Sequence, residues 1–274
     1  MKLGAMIYSF GPAIRSGEMP QRDVIKFCGE LGLACVDTMH GMGGDDWADV
    51  RKWVEDAGMF VASHITSAPL TDPDDATWQE GIDKVKACVD DTVTLGSDKL
   101  MVVTGSIPEG GDRAAAQRRV GEAFAKIIDE TRNANVQLCI EDFPGERSPH
   151  RTSDEMLAVA EAAGPELGFC YDTGNFYCGG ETPEEAWPKV QPRTIHSHLK
   201  DWAWTADGRL STPDGKHFTA ELVGRGFLDY PAILAAMKAS GYTGALSFEY
   251  EGPMNRAEAA REGLGYLQSV LDSI

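Results

Sequence analysis

Short apolar runs alternate with longer amphipathic stretches along the whole 274-residue chain. The runs have the length of single strands, whereas apolar residues in the stretches recur with the 3.6-residue period of a helix. Thr152 before one stretch and Gly164 after it have the residue types that start and end helices. The pattern predicts strands at 3–10, 34–40, 60–66, 99–105, 136–143, 167–174, 194–201 and 244–252, each followed by a helix. The predicted helices are at 20–31, 46–58, 76–96, 113–134, 152–164, 183–190, 229–241 and about 255–273.

Eight strand–helix units predict a single (β/α)8 TIM barrel, because that fold takes roughly 250 residues. We expect one domain over residues 1–274, since no linker or change of composition divides the chain. An open doubly wound sheet is the alternative, but no GxGxxG or GxxxxGK[ST] loop follows the first strand. The stretch 205–218 is rich in turn residues without an apolar period, and we predict a surface loop there, near the barrel mouth.

The net charge of −18 argues against two classes of partner. Nucleic acid is recognised through clustered lysine and arginine, and anionic membranes also attract basic surfaces. The six cysteines contain no Cys-x-x-Cys pair, so small buried thiols are expected rather than disulfides or a thiolate zinc site. No run of about 18 apolar residues predicts a membrane span, and residues 1–20 lack the apolar core of a signal peptide. A cytoplasmic protein that binds a small molecule is therefore expected.

The late predicted strands carry polar residues on one face. In a barrel, alternate strand residues face the helices and the barrel axis. Among the polar side chains that counting from the apolar residues places on the axis, at or near the carboxyl ends, are Glu141, Asp172, His198 and Glu249. Active sites of TIM barrels lie at that end.

Three carboxylates in one layer would repel one another, and a divalent cation is the simplest way to offset their charge. Oxygen donors with one imidazole favour Mn²⁺, with Mg²⁺, Co²⁺ or Zn²⁺ as alternatives. The competing interpretation is that some of these acids are ordinary strand-end residues, paired with Lys200 or with arginines.

Five motifs in sequence order carry a family resemblance: IEDFPG, YDTGN, HSHLKDW, LVGRGFLDY and GYTGALSFEYEG. They resemble the sugar phosphate isomerase/epimerase superfamily, the xylose-isomerase-like TIM barrels. The resemblance implies the same four metal ligands, Glu141, Asp172, His198 and Glu249. It favours Glu249 over Glu251, which also has inward parity, because Glu249 matches the family position.

The resemblance also implies a reaction. The cation would bind a carbonyl oxygen and the neighbouring hydroxyl oxygen of a sugar and so acidify the C–H between them. Glu141 and Glu249 would then act as catalytic base and acid through an enediolate, isomerising or epimerising a ketose or keto-sugar. Loss of a hydroxyl instead would give a dehydratase or lyase on the same site. A non-catalytic sugar-binding barrel is the alternative from a different class.

Four further residues are candidates for binding the substrate. His64 has inward parity with Ala62 at the end of the third strand, where the family often carries a histidine. Lys200 lies in the family's His-x-Lys-Asp pattern and would either neutralise acids or hold a substrate oxygen. Trp202 would form an apolar wall for a sugar face. Asn175 stands where the free-ketose 3-epimerases usually have histidine, a departure that weakens the case for that particular activity.

Three further histidines are expected to have structural or solvent-exposed positions. His196 faces inward one layer below His198, where it would support the structure or orient a ligand. His150 and His217 fall in predicted loops, so we expect them to be solvated. Assembly into a homo-oligomer is compatible with the sequence.

Overall fold

The computed structural model describes residues 1–43 and 46–274. Its strands, in chain order, are β1 (Lys2–Met6), β2 (Cys35–Met39), β3 (Phe60–Ser67), β4 (Lys99–Val103), β5 (Gln137–Glu141), β6 (Gly168–Asp172), β7 (Thr194–Leu199), β8 (Asp201–Trp204), β9 (Leu210–Ser211), β10 (His217–Glu221) and β11 (Ala245–Phe248). Strands β1 to β7 and β11 close into one parallel barrel, in which β11 lies between β7 and β1. The predicted TIM barrel is confirmed.

The α-helices of the described residues surround this barrel. They are α1 (Gly11–Ser16), α2 (Gln21–Glu30), α3 (Trp47–Asp56), α4 (Asp75–Thr94), α5 (Arg113–Thr131), α6 (Ser153–Ala163), α7 (Pro183–Val190), α8 (Tyr230–Ala239) and α9 (Arg256–Ser273). Helix α6 begins as its sequence predicts, because the Thr152 hydroxyl accepts a bond from the Glu155 amide at 3.2 Å. No helix in the described ranges is long and apolar enough to span a membrane. The extent of the domain, residues 1–274, stays a prediction.

The core has two layers, as a filled barrel requires. A large cluster fills the space between the strands and the helices, and a smaller one lies on the barrel axis. The axial cluster contains the side chains Met6, Ile65, Met101, Cys139 and Cys170. Cys139 and Cys170 therefore face inward, as the alternation predicts for β5 and β6. All six cysteines are buried free thiols.

The stretch 205–218, predicted as a surface loop, is largely exposed, but it also contains β9 and the start of β10. Strands β8, β10 and β9 form a small antiparallel sheet that follows β7 directly. Phe218 of β10 is buried and packs against both Trp202 and Trp204, at ring-centroid distances of 5.3 and 6.0 Å. These strands are too short for an alternation of apolar residues to be visible in the sequence. They are stabilised by the backbone hydrogen bonds between them and by one buried ring, Phe218.

The first predicted strand is also shorter than expected. The chain leaves the barrel after Met6, and Ile7–Phe10 form a 3₁₀ helix. Ile7 and Phe10 are buried in the outer core layer, which explains why the apolar run continues past the end of β1.

Candidate active site and metal centre

The four predicted ligands meet at the carboxyl end of the barrel. Glu141 and Asp172 are the last residues of β5 and β6, His198 is the second-last residue of β7, and Glu249 directly follows β11. One donor atom from each lies within 4.8 Å of the others, and all four side chains are buried. Because the four strands are neighbours in the parallel barrel, their carboxyl ends bring these side chains into one layer.

Asp172 uses its two oxygens differently. Its Oδ1 accepts bonds from the backbone amides of Gly174 and Asn175, at 2.7 and 2.9 Å. This turn fixes the orientation of the carboxylate, and the Asp172 backbone amide donates a further bond to Oδ1 of the neighbouring Asp142 at 2.8 Å. The other oxygen, Oδ2, is buried without a hydrogen-bond partner among the described residues. One oxygen thus holds the turn while the other is free for a ligand.

His198 connects two of the glutamates. Its Nδ1 contacts Glu141 Oε1 and lies 3.4 Å from Glu249 Oε2. Burial raises the pKa of Glu141, but His198 outweighs that effect and holds the pKa below its ordinary value. Glu249 Oε2, like Asp172 Oδ2, has no hydrogen-bond partner among the described residues.

Lys200 is the cation that the structure places among these acids. Its Nζ lies 2.9 Å from Glu249 Oε1, 3.3 Å from Glu251 Oε1 and 3.5 Å from Asp172 Oδ2. Burial lowers the pKa of Lys200, but these carboxylates outweigh burial and hold the pKa well above its ordinary value. Of the two roles considered for Lys200, neutralising nearby acids is the one visible in the structure.

One lysine does not offset the charge of the layer. Burial raises the pKa of Asp172 well above its ordinary value, and the like charges of Glu141 and Glu249 raise it further. Asp172 Oδ2 and Glu249 Oε2 are buried and accept no hydrogen bond from the described residues, and both side chains belong to the same group of donors. Buried carboxylate oxygens that accept no hydrogen bond, beside an imidazole, suit a divalent cation. The residues therefore form a possible metal site.

Glu251, the rival of Glu249, lies outside this group. Its carboxylate contacts Lys200 and lies 4.0 Å from Arg209, and its side chain is 22% exposed. The Glu249 side chain is only 5% exposed, and it supplies one of the four donor atoms of the group.

His64 does not join the site, and the prediction that it faces the axis is wrong. Its Nδ1 shares a 2.9 Å hydrogen bond with Thr38 Oγ1, and its ring packs edge-on against Trp47 of α3, at a centroid distance of 4.8 Å. The register between β2 and β3 shifts after Val36, so one extra β3 residue reverses the alternation before His64. Ile65, rather than His64, belongs to the axial cluster.

Two other candidates lie close to the ligands. Asn175 is buried, its amide binds Asp172, and both polar atoms of its side chain lack partners among the described residues. Trp202 is buried, and a Cβ added to Gly174 would lie 2.3 Å from its Nε1, so residue 174 must be glycine. Trp202 also lines a cavity of about 310 Å³, together with Tyr8, Arg209 and Glu251.

Sequence reasoning missed a buried pair beneath the ligands. Asp37 of β2 accepts a hydrogen bond from His196 Nε2 at 2.9 Å, and both side chains are fully buried. The signal was present, since Asp37 alternates with Cys35 and Met39 in β2. His196 has the structural position that we expected, inward and below His198.

The environment of His150 also differs from the prediction. It is buried rather than solvated, and its Nε2 shares a 2.7 Å hydrogen bond with Thr104 Oγ1. Burial lowers its pKa to about 4. Its loop is held by Gln117, whose side-chain amide donates to the Pro149 carbonyl at 2.8 Å. The turn-rich sequence around His150 gave no sign of this packing, while His217 is exposed as expected.

Comparison with known proteins places the barrel in a family. The profile of the family described as "xylose isomerase-like TIM barrel" matches residues 25–270. The chain belongs to this family. A relative from Methanocaldococcus jannaschii, described only as an uncharacterised protein, is 20% identical over 237 residues, which cover 82% of this chain and 77% of the relative.

Solved structures show the same barrel. An L-ribulose 3-epimerase superposes with a TM-score of 0.81 at 17% identity, covering 99% of this chain and 95% of the epimerase. The IolI protein, in a crystal structure with a bound zinc atom, also gives a TM-score of 0.81, at 16% identity, covering 100% of this chain and 99% of IolI. These likenesses establish a shared fold with sugar epimerases, which agrees with the superfamily that the motifs resemble.

Proposed function

We propose that this xylose isomerase-like barrel is a divalent-metal-dependent sugar isomerase or epimerase, acting on a ketose or keto-sugar. The observation that carries the proposal is the ligand quartet, Glu141, Asp172, His198 and Glu249, with its buried unpaired oxygens. The epimerase neighbour and the zinc bound to IolI support it. Mn²⁺ is the cation we propose, from the donor set of three carboxylates and one imidazole.

A cation in this site would supply positive charge next to a substrate carbonyl and so acidify the adjacent C–H. Glu141 and Glu249 are the proposed catalytic pair. One carboxylate removes that proton to give an enediolate, and the other returns a proton, to the opposite face in an epimerase or to the neighbouring carbon in an isomerase. Burial raises the pKa of Glu249 above its ordinary value and so strengthens it as a base, whereas His198 holds the pKa of Glu141 below its ordinary value.

The other residues position the sugar in this proposal. Asn175 offers a buried amide with free donor and acceptor atoms next to Asp172. Lys200 holds the orientation of Glu249 and can donate to a substrate oxygen. Trp202 provides an aromatic wall in the cavity that it shares with Glu251.

Solvent exchange tests the proposal directly. The protein, loaded with Mn²⁺, is incubated in D₂O with a panel of ketoses and keto-sugars, and deuterium uptake next to the carbonyl is followed by NMR. We expect uptake from at least one sugar, with loss of uptake after chelation. Sugar binding without any exchange across the panel would instead indicate a non-catalytic sugar-binding barrel. Absence of metal binding would remove the basis of the mechanism.

A further inference from the structure

The imidazole of His198 lies between two sets of acids on opposite sides of its ring. On one side, Nδ1 faces Glu141 and Glu249, where the possible metal site is. On the other side, Nε2 lies 3.3 Å from Asp37 Oδ2. All of these side chains are 5% exposed or less. The ring therefore has a different neighbour for each nitrogen.

A histidine that binds a metal ion uses its two ring nitrogens differently. A neutral imidazole has one N–H and one lone pair, and only the nitrogen with the lone pair can bind a cation. If Nδ1 faces the cation, the proton is on Nε2. No described residue forms a hydrogen bond with Nε2. The negatively charged group nearest to Nε2 is the carboxylate of Asp37, through its Oδ2. The two atoms are 3.3 Å apart and form no hydrogen bond in the structure, so Asp37 places a negative charge close to Nε2.

Asp37 is itself held in place from the other side. His196 Nε2 donates to the same oxygen, Oδ2, at 2.9 Å, and the two histidine rings are perpendicular, with centroids 5.1 Å apart. Strand β2, which carries Asp37, is separated from β7 by β11 and β1, so this carboxylate reaches His198 from another part of the barrel wall. Its position depends on the closed barrel and on the bond from His196.

We propose that Asp37 is a positioning residue for the metal centre: it fixes the His198 ring with Nε2–H towards itself, and so presents the Nδ1 lone pair to the ligand layer. The inference rests on the proposed function, because it concerns the same metal site. A carboxylate behind a ligand histidine fixes the ring and raises its basicity, and its loss typically weakens metal binding about 10–100-fold.

The test compares Asp37→Asn with Thr38→Val by Zn²⁺ affinity, measured in competition with a chelator. Thr38 is the next residue of β2, is equally buried, and faces away from the axis, so it controls for general damage to this strand. We expect Asp37→Asn to weaken Zn²⁺ binding about 10–100-fold and Thr38→Val to leave it unchanged. The downfield ring N–H resonance of His198 in the Zn²⁺-loaded protein should shift or disappear only in Asp37→Asn.

Wild-type affinity and an unchanged His198 resonance in Asp37→Asn would overturn the inference, as would an equal loss in Thr38→Val. If Asp37→Asn does not fold, His196 provides a second pair of variants. His196→Gln keeps a donor near the Nε2 position and should retain affinity, whereas His196→Ala should lose it, and equal affinities would overturn the inference. Tight Zn²⁺ binding without sugar exchange would count against the proposed function alone, and no Zn²⁺ binding by the wild type against both.

Discussion

Two regions of the barrel wall behave differently under the same counting rule. On β5, β6, β7 and just after β11, alternation from the apolar residues places four polar side chains on the axis, and in the structure these four lie close together. On β3, the same counting places His64 on the axis, whereas it packs against Trp47 outside the barrel. The difference is one extra residue in the pairing of β3 with β2. Parity along a strand is thus reliable only while the register is regular.

The largest expected effect concerns the two glutamates after β11. Glu249→Gln should slow solvent exchange into the substrate at least about 100-fold, since it removes a proposed acid–base group. Glu251→Gln should slow it less than about 5-fold, because a partly exposed ion pair contributes about 1 kcal/mol or less. Deuterium uptake by NMR measures both variants. Equal losses would mean that parity does not distinguish the two positions.

The next effect separates the inward histidine from the outward one. His198→Gln should weaken binding of Mn²⁺ or Zn²⁺ by more than about 100-fold, because it removes a ligand rather than an outer partner. His64→Gln should leave metal affinity unchanged and lower the free energy of unfolding by about 1–3 kcal/mol, since buried polar partners are lost. Chelator competition and urea unfolding measure the two quantities. Loss of metal affinity in His64→Gln would return His64 to the site.

Acid should destabilise the protein through its buried neutral histidines. Burial lowers the pKa of both His64 and His150 to about 4, below the ordinary value of 6.5. Between these values the unfolded chain binds more protons than the folded one, so the free energy of unfolding falls as the pH is lowered from 6.5 towards 4. The loss should be up to about 3 kcal/mol for each histidine.

Urea unfolding over this pH window measures the loss in the wild type. His64→Gln and His150→Gln should each make the dependence on pH shallower, because each removes one group that titrates differently in the two states. An unchanged slope in both variants would show that other groups cause the acid sensitivity.

The smallest expected effect is at Thr38. Thr38→Val removes the hydroxyl that pairs with His64 Nδ1 and should lower the free energy of unfolding by about 1 kcal/mol. Metal affinity should not change, because this bond lies on the outer face of β2. A measured change in metal affinity would show that the Thr38–His64 contact on the outer face of β2 affects the possible metal site.

Local patterns in the sequence predicted the fold class, most of the strand positions and a set of axis-facing polar side chains that includes the four of the possible metal site. These follow from local periodicity: a period of 2 in strands, a period of 3.6 in helices, and polar residues at the ends of apolar runs. The resemblance of the motifs added the choice of Glu249 over Glu251, which agrees with the placement of both residues.

The three-dimensional structure was needed to show where His64 faces, that His150 is buried, and that 205–218 contains strands of a small sheet. It also brought Asp37 next to His196 and His198, residues about 160 positions away in the chain. The physical reason is that strand register and barrel closure are set by pairing between distant segments. A single extra residue in that pairing reverses which side chains meet, and no periodicity within one segment records it.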